Sequence, residues 1–292
     1  MTAPATTRRE LTRWAHQGGA KEGPSNTLAA MRCSLDTDPG RALEFDVHRN
    51  RAGEIVVIHD RTLDRTTDLV GRVARVDPGE LARCNAGYWW VPELVDDHRP
   101  RPDSDYPYRG AGADLASVRV PTLAEVLAEF SGAPMTIEIK SYSAVRPTID
   151  LLSRRRVENV TVTAFADWIV WLARLRLRDH LGNTIELAPG IASTMLFWFR
   201  TVIGLPPRTS PYARLQIPEK KVVAFATPSI IGAAHTTRRR SRASRRPLKG
   251  VVGIAVDVWT VDDEAAMRRL ILRGIDGIMT DRPEVLRRVM TS

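Results

Sequence analysis

Ala42-Leu43-Glu44-Phe45-Asp46-Val47 places two carboxylates at alternate positions in an otherwise apolar run. Successive side chains of a strand point to opposite faces, so Glu44 and Asp46 share one face and Leu43, Phe45 and Val47 the other. Met135-Thr136-Ile137-Glu138-Ile139-Lys140 repeats the offset with Glu138 and Lys140. Working outward, strand-like runs recur at 13–17, 42–47, 135–140, 160–165, 184–188, 214–217, 254–259 and 276–280. Helical segments lie between them, including 26–35, 123–130, 147–156, 167–178, 228–234 and 263–273. Strand and helix in alternation predict a parallel sheet, and eight strands of this kind predict an α/β fold of the (β/α)8 TIM-barrel class.

One run is left over. Ile55-Val56-Val57-Ile58-His59 follows the second strand after only residues 48–54. A parallel crossover needs about a dozen residues, so the pair is expected to be antiparallel, turning near Ala52-Gly53. The run opens a small insertion at about 48–120, because the next helix start is Pro121-Thr122-Leu123. The expectation is a single domain over 1–292 carrying that insertion after its second strand.

Composition sets the bounds. With 43% hydrophobic and 26% charged residues, the 292-residue chain can bury a full core. The net charge of +9 suits an anionic partner. Cys33 and Cys84 have no metal-ligand spacing, which points to a reducing compartment. The first residues carry no apolar core followed by a cleavage site, so the expected location is cytoplasmic. The apolar stretch 191–206 is broken by Arg200 and falls short of the roughly 20 residues of a spanning helix.

The strand ends carry the chemistry. Three acids, Glu44, Asp46 and Glu138, cannot all ionise close together without a compensating cation. An all-oxygen set suits one hard divalent ion, Mg2+ or Ca2+, better than zinc. Taken singly, an acidic pair at a barrel rim is more often matched to an arginine; the joint pattern favours metal. His16 ends the first strand before Gln17-Gly18-Gly19, a turn that lets backbone N–H groups approach an oxyanion. His59 precedes Asp60. Two histidines can divide phosphoryl transfer, one withdrawing a proton from the nucleophile and one protonating the leaving oxygen.

Read together, His16-Gln17-Gly18-Gly19, Pro24-Ser25-Asn26-Thr27, Leu43-Glu44-Phe45-Asp46-Val47 and Ile58-His59-Asp60 with Thr62-Leu63-Asp64-Arg65-Thr66-Thr67 resemble the glycerophosphodiester phosphodiesterase family. The resemblance continues through Pro121-Thr122-Leu123, Ile137-Glu138-Ile139-Lys140, Val258-Trp259-Thr260 and Asp276-Gly277-Ile278-Met279-Thr280-Asp281-Arg282-Pro283. It implies a metal-dependent phosphoric diester hydrolase that releases sn-glycerol 3-phosphate and an alcohol from a small-molecule phosphodiester. It also implies that Glu44, Asp46 and Glu138 hold the metal, that His16 and His59 are the acid–base pair, and that Gln17, Lys140 and Trp259 meet the substrate. For Trp259 a core role is equally expected. Two positions depart from the family: Gln17 stands where an arginine is usual, and Ser25 where a glutamate is usual. They favour the alternative of a catalytically degenerate phosphodiester- or lipid-binding barrel.

Three features bear on the substrate. Tyr88-Trp89-Trp90 and Tyr106-Pro107-Tyr108-Arg109 are expected to pack the insertion onto the barrel, with a lid as the alternative. Met195-Leu196-Phe197-Trp198-Phe199 is expected to be buried; exposed, it would suit a membrane surface and a lysophospholipase D acting on lysophospholipids. Leu215-Gln216-Ile217-Pro218-Glu219 is similar to a branch related to such enzymes. The basic run Arg238–Lys249 could hold the chain peripherally to anionic membrane. No recognition element for nucleic acid is present in the sequence.

Overall fold

A computed structural model describes residues 10–94, 101–109, 115–178, 184–207, 209–219, 225–240 and 247–292. The strands are β1 (Thr12–Ala15), β2 (Ala42–Arg49), β3 (Ile55–Val57), β4 (Met135–Ile139), β5 (Val160–Thr163), β6 (Glu186–Leu187), β7 (Thr209–Ser210), β8 (Arg214–Pro218), β9 (Arg238–Arg240), β10 (Pro247–Val252), β11 (Ala255–Trp259) and β12 (Gly277–Thr280). The helices are α1 (Leu28–Thr37), α2 (Pro78–Leu81), α3 (Leu115–Val118), α4 (Leu123–Glu129), α5 (Tyr142–Arg155), α6 (Asp167–Arg178), α7 (Ile191–Val202), α8 (Pro228–Thr236), α9 (Glu264–Leu272) and α10 (Pro283–Thr291).

The main ladder runs β6-β5-β4-β2-β1-β12-β11-β8, parallel throughout, and contains all eight expected strands. Its two ends meet where the Ala213 N–H donates to the Leu187 carbonyl at 2.9 Å. The barrel is therefore nearly closed. Strands β7, β9 and β10 form a separate small sheet.

As expected, β3 pairs antiparallel with β2, from Val47 opposite Val57 to Arg49 opposite Ile55. His48 and Arg49, expected to open the insertion, instead complete β2 because β3 pairs with them. Gly53 turns the hairpin with φ at +93°, a left-handed conformation that glycine adopts without steric cost. From β3 onward the chain builds its own apolar cluster from Val56, Ile58, Leu63, Val73, Leu81 and Val120. Helix α5 starts five residues before the predicted start at Pro147, which lies inside it. The carbonyl that this proline leaves without an N–H partner belongs to exposed Ser143 and can turn to water.

Alternation divides the strand residues by chemistry. Leu43, Phe45, Ile137, Ile139 and Val162 face outward and pack against Met31, Leu123, Ile149 and Leu152 of the surrounding helices. Leu215, Ile217, Val256 and Ile278 do the same with Ile230, Met267, Leu270 and Leu286. The opposite face lines the lumen. Barrel interiors are usually filled by branched aliphatic residues; this one holds Glu44, Asp46, Thr136, Glu138, Thr161, Arg214, Gln216 and Asp257 at alternate strand positions.

Polar groups in such a lumen must satisfy one another. Arg214 Nη1 lies 2.7 Å and 2.9 Å from the two Asp257 oxygens, and its guanidinium sits 4.9 Å from the centre of the Trp14 ring. Gln216 Nε2 donates to Thr136 Oγ1 at 3.2 Å. Gly277 makes room for this arrangement, since a Cβ there would fall 2.2 Å from Asp257 Oδ1 and 2.8 Å from Trp14 Nε1. Replacing Asp257 by alanine would strand the Arg214 charge inside the barrel. Asp257→Ala is expected to lower unfolding stability by about 3 kcal/mol in urea titrations; a loss under about 1 kcal/mol would contradict the buried-pair account.

Candidate active site

The register between β2 and β4 sets Asp46 directly opposite Glu138. Glu44 precedes Asp46 on the same face, and one oxygen from each of the three acids lies within 4.8 Å of the others. The loop after β1 closes over this cluster. Asn26, in the left-handed region at φ 61°, donates from Nδ2 to Asp46 Oδ2 at 3.0 Å and accepts from the Asp46 N–H at 3.1 Å. Asparagine tolerates that backbone better than most residues. The Gln17 N–H donates to Glu44 Oε2 at 3.1 Å. Lys140 Nζ sits 2.9 Å from Asp46 Oδ1 and 3.0 Å from Glu138 Oε2.

The electrostatics show how crowded the acids are. Burial, then the neighbouring Asp46, pushes Glu44 up to about 7, with His16 opposing. Burial also raises Glu138, with Lys140 opposing. For Asp46 burial is outweighed by Lys140, His59 and the Asn26 hydrogen bond, and its carboxyl is held below the usual range. A divalent cation among these oxygens would relieve the repulsion, and the donor set, all carboxylate, fits a hard ion. Glu44, Asp46 and Glu138 would hold it.

Both histidines are fixed through Nδ1 to a carboxylate. His16 donates from Nδ1 to Asp281 Oδ1 at 2.7 Å, and its Nε2 is 3.8 Å from Glu44 Oε2. Burial would lower its pKa, but Glu44, Asp281 and Asp46 overcome that and hold it at about 10. Asp281 is itself held from behind: Asp262 Oδ1 accepts from the Asp281 N–H and from Thr280 Oγ1, both at 2.9 Å, while Lys21 Nζ donates to Asp262 Oδ2 at 2.9 Å. His59 donates from Nδ1 to Asp60 Oδ1 at 2.6 Å, and Arg65 Nε donates to Asp60 Oδ2 at 2.6 Å. The Asp60 hydrogen bond raises His59 against the opposing effect of burial. His48 Nε2, donating to the His59 carbonyl at 3.1 Å, ties that residue to β2. With Nδ1 engaged on each ring, Nε2 is the atom free to exchange a proton.

The structure thus gathers Glu44, Asp46, Glu138, Lys140, His16 and the Gln17 backbone around one end of the lumen, with His59 close enough to bias Asp46. Trp259 is half-buried at the end of β11, packed on Trp14, Ala42 and Met279, which gives it a core contact. The glycine turn serves packing. Gly18 and Gly19 have φ of +84° and +96°, a Cβ on Gly19 would lie 2.8 Å from Pro283, and the Gly19 N–H donates to the His16 carbonyl at 2.8 Å. The Gly19 amide is thus engaged within the turn rather than offered to an oxyanion.

Asn26, Asp60, Arg65 and Asp281 escaped assignment from the sequence although each stood inside a motif. Asp262 and Lys21 gave no signal, being 241 residues apart. The insertion aromatics pack as expected: Trp90 Nε1 donates to the Ala20 carbonyl at 2.8 Å, and Arg109 lies 3.5 Å from the Tyr106 ring centre. In the run Arg238–Lys249, Arg239 is paired with Glu186 at 2.8 Å, and residues 241–246 lie outside the described residues.

Asn26 fixes the direction of Asp46, one of the acids that would hold the ion, and such partners are commonly worth 10- to 100-fold in metal affinity. Asn26→Ala should weaken Mg2+ or Ca2+ binding by about that factor in titration calorimetry, and an unchanged affinity would remove Asn26 from the site.

Comparison with known proteins agrees with this fold. The chain is 27% identical over 282 residues to a glycerophosphodiester phosphodiesterase of Caldanaerobacter subterraneus, covering 93% of this chain and 94% of that protein. It is 24% identical over 288 residues to a lysophospholipase D of Rattus norvegicus, covering 95% and 85%. Among solved structures, the glycerophosphoryl diester phosphodiesterase domain of a Mycobacterium tuberculosis protein superposes with a TM-score of 0.72 at 15% identity, over 97% of this chain and 99% of that one. A phosphodiesterase of Oleispira antarctica in complex with the product sn-glycerol-3-phosphate gives 0.67 at 19% identity, over 97% and 98%. These two likenesses establish the shared fold. The model of the glycerophosphoryl diester phosphodiesterase family matches residues 16–285, from the first catalytic-candidate histidine to the last helix, and the chain belongs to that family.

Proposed function

We propose that this chain hydrolyses glycerophosphodiesters to sn-glycerol 3-phosphate and an alcohol. The observation that carries the reading is the placement of two carboxylate-anchored imidazoles, His16 and His59, beside the Glu44, Asp46 and Glu138 cluster. The ion is Mg2+ or Ca2+, and when bound it supplies positive charge that stabilises the developing negative charge on the phosphoryl oxygens. Lys140 and Gln17 contact the phosphate side of the substrate, and Trp259 the glycerol side.

The chain's own residues move the protons. As a hydroxyl attacks phosphorus, its proton passes to Nε2 of one imidazole. As the P–O bond to the leaving alcohol breaks, Nε2 of the other imidazole delivers a proton to that oxygen. Asp281 and Asp60 keep each ring in the tautomer and orientation that this exchange needs. Residues 1–292 act as one domain, with the segment at about 48–120 inserted beside the mouth.

The departure at Gln17 spares one contact of the site. Gln17 reaches Glu44 through its backbone N–H, a contact that any non-proline residue could make. The degenerate-barrel reading rests on the guanidinium missing at Gln17 and the carboxylate missing at Ser25. Lysophospholipase D activity is the second reading, favoured by the exposure of Leu196 and Phe199. A cytoplasmic location with peripheral attachment through Arg238–Lys249 accords with the +9 charge. No helix among the described residues is long and apolar enough to cross a membrane.

Steady-state kinetics of purified variants test the assignment. His16→Ala and Glu44→Gln should each lower kcat on glycerophosphocholine by about a thousandfold or more, as expected for groups acting in the transition state. Asp281→Asn should lower kcat by about a hundredfold with little change in KM, because the amide still packs but no longer fixes the tautomer. Full activity in any of these would remove that residue from the mechanism. Faster release of lysophosphatidic acid from lysophosphatidylcholine by the unmodified chain would favour the second reading.

A further inference from the structure

Helix α7 departs from what the outer layer of a barrel requires. Its sequence, IASTMLFWFRTV, contains a single charge, Arg200. Thr194 and Phe197 are buried, and Trp198 meets Phe225 with ring centres 5.9 Å apart. The opposite face should be polar if it met only water. Instead Met195, Leu196, Phe199 and Val202 are 39%, 58%, 54% and 60% exposed.

A second apolar group stands at the N-terminal end of this helix. Phe165, Trp168 and Trp171 of the β5–α6 segment are each more than half exposed, and Tyr142 at the start of α5 lies 5.8 Å from Trp168, centre to centre. The segments are joined rigidly. Asp167 accepts from the Ala192 N–H at 2.7 Å and the Ser193 N–H at 3.1 Å, capping α7, while the Ile191 N–H donates to the Phe165 carbonyl at 2.9 Å. These residues follow the C-terminal ends of β4, β5 and β6, so the surface starts on the face that carries Glu138 and Lys140 and runs down α7.

Charge selects the partner. Within 142–146, 165–178 and 190–207 the sole carboxylate is Asp167, engaged in capping α7. Arg146, 80% exposed though 3.6 Å from Asp150, and Arg200, the one charge of α7, stand near this surface on a chain carrying +9. Two copies of such a chain repel one another, whereas an anionic lipid surface attracts it. Tryptophan and tyrosine beside aliphatic residues and arginines are the side chains that settle at headgroup depth. We propose that α7 and the Phe165–Trp171 segment form a docking surface for an anionic phospholipid membrane, seated in its interface with the barrel mouth beside the bilayer. The proposal does not depend on the reaction assigned to the site, and it uses residues separate from the Arg238–Lys249 run.

The test is co-sedimentation of the full chain with vesicles of phosphatidylcholine alone and of phosphatidylcholine with phosphatidylglycerol. Binding to the anionic vesicles is expected, with a blue shift of tryptophan emission. The double variant Leu196→Glu and Phe199→Glu should partition about tenfold less or worse, since each loses a side chain from the apolar phase. Its melting temperature and its turnover of water-soluble glycerophosphocholine should be unchanged. Trp168→Ala with Trp171→Ala should lose the emission shift. The proposal is overturned if the unaltered chain stays in the supernatant, if the Glu variant sediments equally well, or if the surface proves to join two copies, seen as a dimer that the variant converts to monomer without changing vesicle binding. Absence of glycerophosphocholine turnover in the unaltered chain would count against the catalytic reading and leave the vesicle result standing.

Discussion

Three carboxylates, Glu44, Asp46 and Glu138, meet within 4.8 Å in the lumen of a barrel, and much of the structure can be read as a response to that repulsion. Like charges at this distance raise one another's pKa, and burial adds to the effect. Asn26 grips Asp46 from one side, Lys140 spans Asp46 and Glu138, and the Gln17 N–H meets Glu44. Each contact stabilises a negative charge and fixes the direction of an oxygen. The oxygens of the cluster are therefore fixed in positions that would suit a hard divalent ion, and its geometry rests on the register of two adjacent strands. A one-residue slip between β2 and β4 would turn Glu138 away from Asp46 and into the outer apolar layer.

The remainder of the lumen obeys the same rule. Carrying Thr136, Arg214, Gln216 and Asp257 where aliphatic layers are usual, the barrel relies on its outer layer for hydrophobic stabilisation and on mutual pairing for its interior. The two histidines extend the pattern outward, each reaching the cluster with a carboxylate behind it. Their backing differs: Arg65 pairs with the Asp60 carboxylate, while Asp281 is held through its backbone N–H by Asp262.

Much of this was legible because period-2 alternation is local. Glu44 and Asp46 announce a shared face within three residues, and eight alternating runs announce the barrel. The antiparallel β3 followed from chain length alone. What the sequence hid was long-range or conditional. Asp281 contacts His16 across 265 residues, and nothing in a single chain's order marks that pair. The glycines after His16 read as an anion turn, and Pro283 and α1 add a packing reason for them that the sequence did not show. The Met195–Phe199 cluster was expected inside, since apolar helical residues usually face the sheet; α7 buries Phe197 and leaves Leu196 and Phe199 in solvent. Periodicity reveals which residues share a face, but not which face meets the core when both are apolar.

Phosphorus NMR of glycerophosphocholine incubated with chelator-treated protein decides whether the carboxylate cluster works as a metal-dependent phosphodiesterase site. The resonance of sn-glycerol 3-phosphate should appear on addition of Mg2+ or Ca2+ and stay absent without them. Product formed at the same rate in chelator, or no product with either ion, would contradict that role.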